Sequence, residues 1–171
     1  MRTIAGLRLI PRWGYALGFL ACAGLIGFAL YLQYFQNEEP CPLCIFQRVA
    51  FMALAAVFLA AALHGAGRRG ATVYGALLVL VAAAGAAIAS RHVWLQHLPP
   101  SQVPACGPDL AYLMKRFPFW DVLGKVLSGS GQCAEVGWKF LGLSIAEWSL
   151  AWFVLLALLA IYLTVLARRP A

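Results

Sequence analysis

Four apolar windows, each long enough to cross a bilayer, constrain this 171-residue chain more than any other feature. They run from about Trp13 to Tyr34, Ile45 to Leu63, Thr72 to Trp94 and Ile145 to Leu166, and a helix needs about 20 apolar residues to span the hydrocarbon core. The sequence is 63% hydrophobic and 11% charged, beyond the roughly half-apolar usage of soluble domains. The expectation is an all-α membrane protein, a single domain over residues 1–171. It is a four-transmembrane-helix bundle with external loops at about 35–44 and 95–144, the second carrying short interfacial helices.

Arg2, Arg8 and Arg12 precede the first window, and Phe19-Leu20-Ala21-Cys22 faintly resembles a lipoprotein cleavage site. The apolar run continues past Cys22 to Tyr34, longer than the core of a cleaved signal, so it reads as a retained signal anchor. Arg68 and Arg69 lie between windows two and three, and Arg168 and Arg169 follow window four. All six acidic residues, Glu38, Glu39, Asp109, Asp121, Glu135 and Glu147, fall at the opposite ends or in the other loops. Arginine bias places both termini in the cytoplasm and the cysteine-bearing loops outside. The net charge of +7 is accounted for by arginines beside anionic lipid headgroups and calls for no nucleic-acid partner.

Five cysteines are distributed as Cys41 and Cys44 at the mouth of helix two, Cys106 and Cys133 in the second external loop, and Cys22 within helix one. Disulfides persist in a periplasm or secretory lumen, so cysteine usage and sidedness agree. Cys22 reads as packing. Cys41-Pro42-Leu43-Cys44 suits an easily exchanged disulfide, and free amides at a helix start favour a thiolate at Cys44. In the loop, Pro118 breaks any continuous helix into two amphipathic pieces that either lie in the membrane interface or pack against the other external loop, and Gly129 and Gly131 supply flexibility before Cys133.

Arg48 lies four residues after Cys44, on the same helical face. It either snorkels to lipid phosphates or stabilises the Cys44 thiolate and the charge developing on a carbonyl compound reduced beside it, with Gln47 as a second polar contact. A membrane disulfide regenerated repeatedly needs an acceptor; no dinucleotide signature and no convincing metal site is present, and a lipid-soluble quinone is the natural acceptor for a thiol pair at this depth. His92 either donates to a quinone oxygen or caps helix three beside Arg91 and Trp94. His97 reads as surface, and His64 lies at the cytoplasmic end.

Cys41 through Arg48, Arg91-His92 with Leu95-Gln96, Cys106, Arg116-Phe117-Pro118, Gly131 through Glu135 and Trp138 through Leu143 together resemble the DsbB family, bacterial inner-membrane thiol oxidases. The resemblance covers nearly the whole chain. It implies a relay in which a reduced DsbA-like periplasmic thioredoxin-fold protein attacks a Cys106–Cys133 disulfide and forms a mixed disulfide through Cys106. Exchange with Cys41 and Cys44 then passes two electrons inward, with Cys44 meeting ubiquinone or menaquinone near Arg48 and His92. The chain departs from the family's best-known member mainly in details of the second loop, including an unusual Arg91 beside His92, which bears on partner surface and quinone preference. Two other readings compete. A vitamin K epoxide reductase-like enzyme would carry its C-x-x-C in a late helix, where this chain has no cysteine; a non-enzymatic tetraspan would use the cysteines as structural disulfides or as a four-cysteine zinc site, although zinc usually takes two close pairs.

Overall fold

The structure is a computed structural model describing residues 2–65, 67–103, 105 and 110–168, with side chains described from Arg12 onward except those of Pro100 and Phe119. Cys106, Asp109 and Arg169 lie outside the described residues, as do the side chains of Arg2 and Arg8. Four long helices form the body: α1 (Arg2–Phe35), α2 (Pro42–His64), α3 (Arg68–Gln96) and, completing the bundle, the last helix of the chain, Ile145–Arg168. Each contains a stretch long and apolar enough to cross a membrane, that of α1 running from Arg12 to Phe35. Between α3 and the last helix come α4 (Leu110–Arg116), α5 (Phe119–Ser128), α6 (Gly131–Ala134) and a hairpin of β1 (Lys139–Phe140) with β2 (Leu143–Ser144), which makes Ile145–Arg168 α7.

Helices α1 with α2 and α3 with α7 make the broadest contacts, and α2 packs on α3. Lipid gives apolar helices no hydrophobic reason to associate, so close packing over small residues must supply the adhesion. Gly85 of α3 sits under the Phe153 ring of α7, Gly75 under Thr164, and a Cβ on Gly18 of α1 would meet Phe58 of α2 at 2.6 Å. At the bundle centre Phe51 and Phe153 stack with ring centroids 4.1 Å apart and planes 8° from parallel.

The two ends of the bundle differ in charge. At one, Arg12 donates to Ala62 O at the C-terminus of α2, and Arg68 to Arg168 O at the C-terminus of α7, each a cation on the negative pole of a helix dipole. At the other end lies the loop region. Pro118 separates α4 from α5 as the sequence predicts, and α5 buries Val122 and Val126 while Trp120 stays exposed. Arg91 explains its position here: its guanidinium donates to Leu127 O and Ser128 O at 3.0 Å each, closing the C-terminus of α5 onto α3. Gly129 does a different job from supplying flexibility, since it adopts φ +90 and a Cβ there would meet Leu95 at 2.5 Å. The hairpin was not expected from sequence. Its turn places Leu141 and Gly142 at φ 52 and 83, the handedness that antiparallel strands favour.

Candidate functional site

Helix α2 starts at the cysteine motif because Pro42 occupies its first position, where a missing N–H costs nothing. Cys41 is the residue that caps it: extended at φ −63 and ψ 161, it accepts through Sγ from the Cys44 amide at 3.3 Å. The free amide at the helix start therefore serves Cys41, whereas the sequence assigned that help to Cys44. The two sulfurs are 2.8 Å apart. Leu43 between them is fully buried and anchors the motif.

Two residues remote in sequence close on this pair. His92 of α3 places Nε2 3.7 Å from Cys41 Sγ, and its Nδ1 lies 3.0 Å from Gln47 Nε2. With the Gln47 amide donating, the His92 proton sits on Nε2 and faces the sulfur. Cys133 of α6 comes from the other side, fully buried. The neighbouring Cys133 sulfur first, then Cys44, favour the protonated Cys41, and with burial they push the Cys41 thiol up. Cys133 is pulled down to about 5, first by accepting from Cys41, against its burial, with further donation from the Leu43 amide and from Ser130.

Beside the cysteines a cavity of about 480 Å³ opens between α1, α2, α3 and α7, within the range of small-molecule sites. Cys44, Gln47, Arg48 and His92 all line it. Arg48 does not run out to a surface: it donates to Gln33 Oε1 at 2.5 Å and to Ala29 O at 3.1 Å, both on α1. Those acceptors are neutral, so neither bond offsets the guanidinium charge beside a cavity that Glu38, Glu39 and Glu135 also line. Trp138, Phe140 and Trp148 form one wall, with Trp138 and Phe140 stacked at 5.7 Å and Trp148 Nε1 donating to Phe140 O at 3.0 Å. Among the described residues the buried polar side chains are Gln47, His92 and Ser144, all at this end.

The structure thus gathers Cys41, Cys44, Gln47, Arg48, His92 and Cys133, while Cys106 lies outside the described residues. Sequence reasoning missed Gln33 and Trp148, and it named Gln96, Trp138 and Phe140 within the family resemblance without giving them a role. Gln33 is a polar residue inside an apolar window, and that was the available signal. Gln96 accepts from Ser144 Oγ at 2.8 Å, tying α3 to the start of α7. His97 is exposed and pairs with Glu147 at 4.0 Å; His64 meets Tyr74 Oη at 2.7 Å, away from the site. The expectation of no metal site meets a geometry that spacing did not reveal: ligand atoms of Cys41, Cys44 and His92 lie within 4.8 Å of one another.

A dithiol against a third thiol, at the wall of an apolar cavity in a four-helix bundle, defines a multi-pass membrane protein of thiol–disulfide chemistry. Comparison with known proteins supplies the family. The family model described as Disulfide bond formation protein DsbB matches residues 11–163. A Disulfide bond formation protein B of Chromobacterium violaceum is 49% identical over 164 residues, covering 96% of this chain and 99% of the relative. One of Hahella chejuensis is 53% identical over 162 residues, covering 95% and 97%. The chain belongs to the DsbB family of membrane disulfide bond formation proteins.

Proposed function

We propose that this chain is a quinone-dependent thiol oxidase of the bacterial inner membrane, drawing electrons from a DsbA-like periplasmic thioredoxin-fold dithiol and delivering them to ubiquinone or menaquinone. It acts as one domain, with cytoplasmic termini and periplasmic cysteine loops; the arginine end of the bundle supports that orientation. The observation that carries the reading is the row of sulfurs Cys133, Cys41 and Cys44 ending at an apolar cavity that also holds Arg48 and His92.

The row suits a relay in which every exchange conserves sulfur bonds. The partner thiolate breaks the Cys106–Cys133 disulfide at Cys106 and frees the Cys133 thiolate. Cys133 attacks Cys41, forming Cys41–Cys133 and releasing the Cys44 thiolate at the cavity wall. The partner's second thiolate displaces Cys106, and Cys106 then re-forms its bond to Cys133, leaving Cys41 and Cys44 reduced. A quinone bound in the cavity supplies the two-electron acceptor that restores the Cys41–Cys44 disulfide. Arg48 holds positive charge where the Cys44 anion forms, and His92 keeps an N–H toward Cys41.

Purified protein, a reduced thioredoxin-fold partner and a soluble quinone should lose thiols and quinone together, one quinone per two thiols. Thiol exchange with the quinone left untouched overturns the acceptor.

A further inference from the structure

We propose that Cys41, Cys44 and His92 of the reduced protein form a binding site for a divalent cation of the zinc class. The three ligand atoms already lie within 4.8 Å of one another. Tetrahedral zinc with Zn–S near 2.3 Å and Zn–N near 2.0 Å sets ligand atoms about 3.5 to 3.8 Å apart. Cys41 Sγ and His92 Nε2 meet that spacing at 3.7 Å. The sulfurs, at 2.8 Å, must open by about 1 Å, a side-chain rotation at Cys44, which is only half-buried.

The shell behind the ligands is also that of a metal site. Metal-bound histidines are usually held through their other ring nitrogen, and Gln47 engages His92 Nδ1 at 3.0 Å; in the bound state that nitrogen carries the proton and Gln47 presents its amide oxygen. The fourth position faces the cavity and takes water. Charge favours the complex: two buried thiolates are costly alone, and a divalent cation with a neutral imidazole makes the group neutral. Binding releases two thiol protons and transfers no electrons. A Cys41–Cys44 disulfide offers no thiolate, so the cation selects the reduced protein and withholds both sulfurs from reoxidation. Nothing here depends on which oxidant restores the disulfide.

Cobalt(II) tests this by its tetrahedral thiolate spectrum. Full-length protein in nanodiscs, reduced and freed of reductant without oxygen, should bind one cobalt and develop thiolate-to-metal charge-transfer bands, and zinc should displace it. Bound zinc should protect Cys41 and Cys44 from alkylation until a chelator is added. The oxidised protein should give no such spectrum. Gln47→Leu should weaken binding about 10- to 100-fold, the usual cost of losing a partner behind a ligand, and Cys22→Ser should leave it unchanged. Equal cobalt binding by oxidised and reduced protein, or unaltered affinity in both Gln47→Leu and His92→Ala, overturns the site. Turnover with quinone is a separate measurement, so failure of one reading is distinguishable from failure of the other.

Discussion

Arg48 on α2 donates to Gln33 on α1 at 2.5 Å, which fixes a cation at the cavity wall by a neutral acceptor. A carboxylate in place of Gln33 would offset the charge that the proposed reaction uses. Arg48→Ala should weaken quinone affinity and slow reoxidation of Cys41 and Cys44, by about 1 to 3 kcal/mol as for other bonds to charged groups. Arg48→Lys should be intermediate, since it keeps charge and loses the planar fork. Gln33→Leu should resemble the lysine variant. Quinone titrations separate this from snorkelling, under which affinity per folded molecule stays constant in all three.

Cys41→Ser and Cys44→Ser should each abolish turnover with quinone, because two electrons require the dithiol. Full activity in either ends the relay. Cys22 is fully buried in the helix core, so Cys22→Ser should keep turnover and lose thermal stability, as a hydroxyl enters a site filled by sulfur.

In the proposed relay the partner's second thiolate releases Cys106, so a reduced partner that keeps only its attacking cysteine leaves the adduct at Cys106 unresolved. A mixed disulfide with the thioredoxin-fold partner should then accumulate on non-reducing gels. An adduct that maps to Cys133 and not to Cys106 reverses the two roles.

The thiolate of Cys133 should persist in acid. Its lowered position, about 5, means the anion is present at neutral pH and lost only as pH falls through that value. Ultraviolet thiolate absorbance of a protein retaining only Cys41 and Cys133 should show this step. Replacing Cys41 as well removes the main donor and should carry the midpoint up toward the ordinary thiol value of about 8.5. A midpoint that stays put makes Cys41 irrelevant to it.

Gly129→Ala should destabilise the loop region, because φ +90 disfavours a side chain and the added methyl meets Leu95 at 2.5 Å. Hydrogen exchange in α5 and α6 should rise while the bundle is unaffected.

Spans and the α4–α5 break were legible because length, hydropathy and proline act locally. Cys41, Cys44 and Arg48 were legible because they share one helix turn. Gln33 and Gln47 acquire their roles only when α1 and α3 close on α2, and no spacing reports that Gln47 faces His92, 45 residues away. The hairpin escaped for a different reason: Leu141 occupies a left-handed position without a turn residue's side chain. Ser144 and Glu147 were readable and overlooked, since their reciprocal bonds at 3.3 and 2.7 Å form a capping box at the start of α7.

The stacked Phe51 and Phe153 have an energetic consequence for the cell. Beyond them the core through Leu54, Phe58, Leu78 and Leu156 is buried and mostly hydrocarbon, and among the described buried residues of that core Tyr15 carries the one side-chain hydroxyl, which is no relay for protons toward the arginine end. Protons given up by Cys41 and Cys44 must leave on the same face from which an acceptor in the cavity draws its own. Under the proposed reaction no net charge traverses the bilayer, and disulfide formation runs at a rate indifferent to membrane voltage.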